Sequence, residues 1–316
     1  MRRIGLTLLL SFVVPLSLCA QAPFLVKDIN LTRNGSPRTS RPQHFFRYGS
    51  GVVFVANTSV FSLDNELWIT DGTEAGTSQV SNINPGSVWE FPRFAIVNGT
   101  LIFNARDSRG EELWMSDGTT AGTRLMADIN SGASSSRPGG RIVHRGRMIF
   151  SADDGISGPE LWTTDGTPAG TRFLKDLKPG WQGSEPSFFV LFRDQVCFLA
   201  AGALWKTDGT DSGTVLVKSL LDARDLTVAG SHMFFNGYSS QTGAEPWVSD
   251  GTEAGTHMLA DIAPGPEPSV HFDMVPFGDR VLFLAGDQEH GFEPWISDGT
   301  TAGTRLVRDI IPGPDG

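Results

Sequence analysis

The sequence predicts an all-β protein, a β-propeller of about six four-stranded blades. A Trp-x-x-Asp-Gly-Thr unit recurs along the chain, and successive tryptophans of this unit lie 42 to 48 residues apart. Repeats of this length are typical of a four-stranded propeller blade. No stretch of the chain carries a sustained helical period of apolar residues. A seven-bladed or an incompletely closed ring is the alternative architecture.

The repeated unit reads Glu-Leu-Trp-x-x-Asp-Gly-Thr-x-x-Gly-Thr in its more complete copies. Its tryptophans are Trp68, Trp114, Trp162, Trp205, Trp247 and Trp295. The string Asp-Gly-Thr-x-x-Gly-Thr is intact in all six copies, which begin at Asp71, Asp117, Asp165, Asp208, Asp250 and Asp298. Six intact copies are not a coincidence, so the chain is a repeat protein.

Short apolar runs stand before and after each tryptophan motif. Leu101 to Ala105 precedes one motif, and Arg124 to Ile129 follows it. Such runs, rich in β-forming residues and bounded by Gly, Asp or Asn, indicate strands. Within Glu-Leu-Trp, the two-residue period of a strand puts Glu and Trp on one face and Leu on the other. Each repeat therefore supplies four strands.

The Asp-Gly-Thr segment is predicted to be a turn. Its carboxylate can accept hydrogen bonds from backbone amides one or two residues on, its Gly takes a positive φ, and its Thr helps to close the bend. The second Gly of the motif is expected in the left-handed position of a type I turn. The repeat Trp supplies buried area, and its indole N–H is expected to find a partner. We therefore interpret the repeat Asp and Trp residues as structural rather than catalytic.

These motifs resemble the ELWxxDGT repeat of bacterial secreted and surface proteins. The fuller pattern of that repeat continues to Leu-Val-x-Asp-Ile-x-Pro-Gly, and Glu160 to Gly180 matches it nearly position for position. The resemblance covers residues 24 to 313. It implies export and a propeller-like β architecture, and it implies no particular biochemical activity.

Residues 24–316 are predicted to form a single propeller domain of six repeats. The Leu-Val-x-Asp-Ile strand occurs once more than the tryptophan motif, because residues 24–29 open the domain with it and Leu306 to Ile310 nearly closes the chain. Six blades leave one such strand spare, and a seventh blade would lack three strands. We favour six blades, with the termini competing or overlapping at the seam.

Some repeats depart from the pattern. Repeat four has Ala203 in place of Glu, lacks the preceding Asp/Gly loop and lacks the Pro-Gly that should follow Ser219. Repeats five and six carry Pro246 and Pro294 in place of Leu. Proline cannot donate to a strand ladder, so we expect this strand at a blade edge or with that position unpaired. The ring is therefore expected to be asymmetric around repeat four.

Residues 1–20 are predicted to be a signal peptide, cleaved after Ala20 or Ala22. Two arginines begin it, and an uncharged stretch over residues 4–18 is too short for a membrane span of about 20 residues. Leu18 is bulky where a lipobox requires a small residue, which disfavours lipid anchoring at Cys19. We expect the chain to be secreted, periplasmic or on the cell surface, without a membrane span.

Charge and composition exclude several partners. The net charge of −10 becomes −12 once the two arginines of the signal peptide are removed. An acidic protein does not offer the basic surface that nucleic acids require. The six histidines share no ligand spacing, and no calcium loop, phosphate loop or catalytic signature occurs. We therefore predict no nucleic-acid partner, no metal and no cofactor. Cys197 is expected to be a core residue, and the oligomeric state is left open.

Two sets of non-turn residues are candidates for binding. The repeat glutamates either bond backbone amides within their own blades, which we favour, or line a channel that binds cations or polyols: Glu66, Glu112, Glu160, Glu245 and Glu293. Trp89 and Trp181 lie outside the repeat motif, in equivalent inter-blade loops. They either pack against a neighbouring blade or bind a partner. We predict that both lie on one face, at least partly exposed.

Two classes of function fit these observations. The first is an exported, non-enzymatic scaffold that binds a glycan, peptide or cell-surface partner through loops on one face of the propeller. The alternative is a propeller hydrolase or lyase with an active site near the central axis. An enzyme would need non-repeated polar residues that converge at the axis, and the sequence offers no evident set. No catalytic residue is therefore assigned.

Overall fold

The computed structural model describes residues 25–27, 29, 40–57, 65–81, 83 and 93–314. These residues form 24 strands and no helix, which confirms the all-β prediction. The strands build six four-stranded sheets, each paired antiparallel in chain order. Each sheet is one predicted blade, so every repeat contributes its four strands to a single sheet. Among the described residues, no helix has the length and apolar character that crossing a membrane requires.

The first three blades divide as follows. Blade 1 contains β1 (Gln43–Tyr48), β2 (Gly51–Asn57), β3 (Asn65–Thr70) and β4 (Ser78–Gln79). Blade 2 contains β5 (Ala95–Val97), β6 (Thr100–Asp107), β7 (Gly110–Ser116) and β8 (Arg124–Ala127). Blade 3 contains β9 (Arg141–His144), β10 (Arg147–Asp153), β11 (Pro159–Thr164) and β12 (Arg172–Lys175).

The remaining blades continue the pattern. Blade 4 contains β13 (Ser187–Phe192), β14 (Gln195–Ala200), β15 (Ala203–Thr207) and β16 (Val215–Ser219). Blade 5 contains β17 (Asp222–Ala229), β18 (His232–Ser239), β19 (Gly243–Ser249) and β20 (His257–Met258). Blade 6 contains β21 (Val270–Phe277), β22 (Arg280–Asp287), β23 (Gly291–Ser297) and β24 (Arg305–Leu306).

The first strands of the blades lie toward the centre of the arrangement. β5 lies beside β9, β9 beside β13, β13 beside β17, and β17 beside β21. Because each sheet is paired in chain order, its fourth strand lies farthest from that centre. This is the arrangement expected of propeller blades.

The apolar core lies between successive blades. We call the side of a blade that meets its predecessor the leading face, and the side that meets its successor the trailing face. The repeat Trp lies on the leading face: Trp162 packs against the cluster that contains Met126 of blade 2, and Trp205 packs against the cluster that contains Leu174 of blade 3. Clusters of this kind join all five successive pairs of blades. Cys197, 1% exposed, belongs to one of them, as expected.

The ring is not closed at its seam. Blade 6 keeps its own fourth strand, β24, paired with β23. The N-terminal segment lies instead against blade 1, where Ile29 packs on the cluster of Phe54, Ala56 and Trp68. The two termini therefore do not compete for one position, and the incompletely closed alternative describes the structure.

The prolines of repeats five and six do not mark an edge strand. Pro246 and Pro294 lie in β19 and β23, the third strand of each blade. In blade 3 the equivalent Leu161 still pairs with Lys175 of the fourth strand. The carbonyl oxygen of Pro246 accepts a hydrogen bond from Leu259 N at 2.8 Å, but proline has no N–H to donate. The fourth strand of this blade, β20, contains two residues. The strand is therefore not at the edge, and Pro246 lies outside the ladder that Trp247 and Val248 form with β20, which matches the expected unpaired position.

Candidate functional site

Each Asp-Gly-Thr turn closes through a local network of hydrogen bonds. In blade 3, Oδ1 of Asp165 accepts from the backbone amide of Thr167 at 3.0 Å and from its hydroxyl at 2.7 Å. The same Thr167 Oγ1 accepts from Gly170 N at 3.0 Å, while Thr171 Oγ1 donates to Thr167 O at 2.8 Å. Thr164 Oγ1 accepts from the amide of Gly166. The turn is therefore closed by hydrogen bonds between its own residues.

The two glycines of the turn serve different purposes. Gly166 has a φ of 90°, the left-handed region that glycine adopts without strain. Gly170 does not have a positive φ, so the expectation of a left-handed residue there is wrong. A β-carbon at Gly170 would collide with the carboxylate of Asp165. The second glycine is therefore required for space, because the carboxylate lies directly against its Cα.

The repeat aspartates share one electrostatic state. The hydrogen bond from the Thr hydroxyl two residues on is the largest cause that lowers the pKa of each of these carboxyls: Asp71, Asp117, Asp165, Asp208, Asp250 and Asp298. A carboxylate held ionised by its own turn is a poor proton donor. This geometry is that of a turn-forming residue.

The repeat tryptophans differ in how their indole N–H groups are satisfied. Trp205 of blade 4 donates from Nε1 to Ala200 O at 3.2 Å. In the part of the chain that the structure describes, the other five have no partner for this group: Trp68, Trp114, Trp162, Trp247 and Trp295. The expectation of a partner therefore holds only in the blade that lacks the repeat Glu.

The repeat glutamates bind the backbone of their own blades. Glu160 accepts from Leu177 N at 2.9 Å, from Lys178 N at 3.3 Å and from Ser184 Oγ at 2.6 Å. The carboxylate thereby ties the third strand to the loop that leads to blade 4. Equivalent amide bonds reach the other four, all at most 2% exposed: Glu66, Glu112, Glu245 and Glu293. The favoured interpretation is confirmed, and these side chains are buried rather than lining a channel.

Burial raises the pKa of three of these glutamates. It raises the pKa of Glu112 and of Glu160, and it raises the pKa of Glu245 to about 7. Hydrogen bonds from Ser269 and from two backbone amides oppose the effect at Glu245. Desolvation disfavours the charged form more than three donors favour it.

The connections between strands fall on two opposite faces. The Asp-Gly-Thr turns share one face with the links between first and second strands, as shown by Asn98 Nδ2, which donates to Asp165 O at 3.0 Å. We call this the turn face. The links between second and third strands lie on the other face together with the connections between blades, and we call this the loop face. Trp181 belongs to the loop face, within the connection from blade 3 to blade 4.

A cleft of about 1060 Å³ opens on the loop face. Trp181 lines it and is 80% exposed. Phe188 at the start of blade 4 and Leu221 before blade 5 add apolar surface, and both are also exposed. Polar groups stand beside them, among them the guanidinium of Arg224. An exposed indole among polar groups is suited to stacking on a flat ligand while neighbouring groups bind its hydroxyl or amide groups.

The departures of repeat four explain why the cleft opens here. The hairpin of β14 and β15 is short, since Trp205 follows Phe198 by 7 positions whereas Trp114 follows Phe103 by 11. The connection between β16 and β17 is only Leu220 and Leu221. The connection from blade 3 to blade 4 spans 176–186, so its loop stands above the shortened neighbours. Blade 4 therefore lacks the longer segments that occupy the corresponding space in the other blades.

The cleft carries mixed charge and local backbone strain. Arg224 Nε donates to Asp222 Oδ2 at 3.0 Å, and Lys178 and Glu185 also line the space. Glu185 and Phe188 both have a φ of 52°, a region that side-chain-bearing residues seldom adopt. Phe188 occupies a bulge between Ser187 and Val190 of β13. Arg137 of blade 3 and His44 of blade 1 also have a positive φ at the equivalent positions, so this conformation belongs to the repeat and does not single out the cleft.

One polar cluster lies near the first strands. Arg141 donates to Arg93 O at 2.6 Å, to Pro138 O at 3.0 Å and to Asn104 Oδ1. Burial, and secondarily the charge of Arg93, lowers the pKa of Arg141 to about 9. The partners of Arg141 are neutral oxygens that hold it between blades. No nucleophile accompanies it among its bonded partners in the described residues.

Sequence reasoning selected part of this site. Trp181 is in the cleft, whereas Trp89 lies outside the described residues and its binding role stays a prediction. Phe188, Leu221 and Arg224 were not selected. The signal that points to them is the pair of shortened links in repeat four. Among the described residues, no group of three His, Cys, Asp or Glu side chains is arranged to hold a metal.

Comparison with known proteins gives fold-level likeness. No family model matches the chain, and no curated protein matches it. Similar solved structures include a puromycin hydrolase S511A mutant (16% identity, 83% of this chain and 44% of that chain, TM-score 0.46). AztD of Citrobacter koseri is 11% identical and covers 84% of this chain and 70% of its own, with a TM-score of 0.49. An uncharacterized protein of Listeria monocytogenes EGD-e is 10% identical and covers 92% of this chain and 88% of its own, with a TM-score of 0.45. The chain spans less than half of the hydrolase. At these TM-scores the likenesses carry no argument about activity.

Proposed function

We propose that this chain is an exported, non-enzymatic propeller scaffold that binds a glycan, peptide or cell-surface partner in the cleft around Trp181. The observation that carries the proposal is the 80% exposure of this indole at the edge of a cleft of about 1060 Å³. Burying a large apolar side chain contributes on the order of 2 kcal/mol. The fold buries its repeat tryptophans but leaves Trp181 exposed, so the folded state gains no such contribution from this side chain.

The constancy of the scaffold supports the same proposal. The turn face repeats one hydrogen-bond network in every blade, whereas the loop face differs most around blade 4. Variation on a constant framework is where binding sites are usually built. The export that accompanies this role rests on the signal peptide predicted for residues 1–20.

The hydrolase or lyase alternative places an active site near the central axis. In the cleft itself, Asp153, Glu185 and Asp222 supply carboxylates, the groups that glycoside hydrolysis uses, whereas the lining contains no His, Cys or Tyr. The Ser184 hydroxyl in the lining donates to the buried Glu160. A panel of chromogenic glycosides, run on the same protein, tests this alternative directly.

The binding proposal is tested with glycan and peptide arrays on the mature protein. Trp181→Ala should weaken binding by at least about tenfold, because tryptophans at binding hot spots contribute about 2 kcal/mol or more. Its melting temperature should change by less than about 1 °C, since the ring is exposed. Ile156→Ala is the matched control: Ile156 is equally exposed at 80%, lies on the loop face of blade 3 and does not line the cleft.

Equal binding by the wild type and Trp181→Ala would contradict the cleft as the binding site. Loss of binding in both variants would show that the effect is general to the loop face. Turnover of a glycoside by the wild type would favour the enzymatic alternative.

A further inference from the structure

The trailing face of blade 6 is exposed where the other trailing faces are buried. The fourth-strand residue twelve positions after the repeat Trp is at most 7% exposed in the first five blades: Val80, Met126, Leu174, Val217 and Leu259. Its equivalent in blade 6, Val307, is 47% exposed. An apolar residue at this repeat position therefore contacts a following blade in five cases and solvent in the sixth.

The first strand of blade 6 shows the same difference. Phe277 is 63% exposed, whereas its equivalents Val97, Phe192 and Ala229 are at most 5% exposed. The other two equivalents, Tyr48 and His144, are half-buried. Ile310, past the end of β24, is 64% exposed, although the equivalent Ile262 of blade 5 is buried. Contiguous apolar exposure of this kind marks an interaction surface.

The N-terminal segment occupies the place of a fourth strand on the opposite side of the gap. In blade 3, Lys175 Nζ of the fourth strand donates to Asp211 O at 2.9 Å and to Thr214 O at 3.1 Å in the turn of blade 4. Lys27 Nζ donates to Thr77 O at 2.7 Å and to Glu74 O at 3.5 Å, the equivalent atoms of blade 1.

Packing on blade 1 agrees with that assignment. Ile29 packs on Phe54, Ala56 and Trp68 of the leading face. Within blade 3, Leu177 holds the equivalent place and packs with Phe198, Ala200 and Trp205 of blade 4. Residues 25–27 and 29 therefore take the position relative to blade 1 that a fourth strand takes relative to the following blade.

We propose that the trailing face of blade 6, together with residues 25–27 and 29, receives a three-stranded segment of this same repeat, which completes a seventh blade and closes the ring. The chemistry that fits is the leading face common to blades 2–6. It presents a Phe in the second strand, an Ala or Gly two residues later and the repeat Trp in the third strand. These side chains pack against the fourth strand of the preceding blade in the five existing interfaces.

The first test extends the full chain by a second copy of residues 269–304 directly after Gly316. Residues 311–316 align with 263–268 of blade 5, so the copy begins in register. The melting temperature should rise by about 5 °C or more, because a buried face replaces an exposed one. Hydrogen exchange of the amides in 25–29 and 305–310 should slow at least tenfold. The control carries Phe283→Asp and Trp295→Asp in the appended copy only.

An extension that leaves both the melting temperature and the exchange rates unchanged would overturn the proposal. So would an extension whose control variant gives the same gain, because the Phe and Trp would then not be recognised.

The second test uses the unextended chain. Val307→Asp should shift the melting temperature by less than about 1 °C, whereas Leu259→Asp, at the equivalent buried position, should lower it by about 8 °C or more. Equal losses would show that blade 6 packs on blade 1 of its own chain, and the proposal would fail. Concentration-dependent dimers that Val307→Asp abolishes would assign the face to a second copy and also overturn it.

Discussion

A single aspartate of the Asp-Gly-Thr turn both accepts hydrogen bonds and fills the space beside a glycine. The carboxylate of Asp250 accepts from Thr252 N at 2.9 Å and from its hydroxyl at 2.7 Å, and it also occupies the space that Gly255 leaves free. Glu253 lies in the same turn, exposed to solvent. Both residues are acidic, but the carboxylate of Asp250 closes the turn through hydrogen bonds, whereas Glu253 is exposed. Comparing variants of the two therefore distinguishes the effect of charge from the effect of the turn's hydrogen bonds.

Asp250→Ala should destabilise the protein by about 1 kcal/mol, because two hydrogen bonds are lost at one turn. Glu253→Ala, which removes the same charge from the same turn, should change the free energy of unfolding by less than about 0.5 kcal/mol. Denaturant unfolding of the two variants measures the difference. Equal destabilisation would mean that net charge, rather than the turn network, sets the stability.

At the scale of one element, the loop between blades is held by a buried acid. Ser184 Oγ donates to Glu160 at 2.6 Å, and Ser269 Oγ donates to Glu245 at 2.5 Å. The two bonds are equivalent in their repeats. Only the loop of Ser184 lines the cleft and carries Trp181, so the same bond has a functional consequence in one blade alone.

Ser184→Ala and Ser269→Ala should each cost about 1 to 3 kcal/mol, since each leaves a buried carboxylate with one donor fewer. Only Ser184→Ala should also change the emission of Trp181 and weaken binding on the arrays. Thermal unfolding and tryptophan fluorescence, compared between the two variants, provide the measurement. Equal effects of both variants on binding would show that the loop of blade 3 has no special role.

The sequence was sufficient to predict the repeat but not the cleft. The turn, the strand count and the bonds of the repeat Glu depend on contacts within one repeat, so six copies of one pattern define them. The cleft depends on the lengths of links in adjacent blades and on Phe188 and Arg224, which no repeat position specifies. The role of Gly170 was also missed, because a steric contact with Asp165 leaves no separate signal beside the motif.

For the whole molecule, pH acts on two sets of carboxyls with opposite sign. The repeat aspartates have lowered pKa values, so their stabilisation is present above about pH 4, near the unfolded pKa, and is lost as pH falls through their folded values. Burial raises the pKa of Glu245 to about 7. The folded state therefore holds a proton there that the unfolded state releases, and stability falls as pH rises from about 4.5 to 7.

We therefore expect the free energy of unfolding to be largest near pH 4 to 5 and to decline on both sides. From pH 5 to 8 the wild type should lose about 2 kcal/mol more than Glu245→Gln, which does not titrate. Urea unfolding over this range measures the slopes, with Glu253→Gln as an exposed control. Parallel profiles for the wild type and Glu245→Gln would contradict burial of the proton at Glu245.

The local closure of the turn has a consequence for how such a chain can arise. Its hydrogen bonds join residues no more than seven positions apart, and the bond from Glu to the Ser of the following loop spans 24. A duplication of one repeat in the gene therefore copies every internal bond with it, and the apolar faces and the polar contacts between blades must meet new neighbours. No repeat encodes the number of blades. That number follows from how many units the gene contains and from the curvature that their packed faces impose.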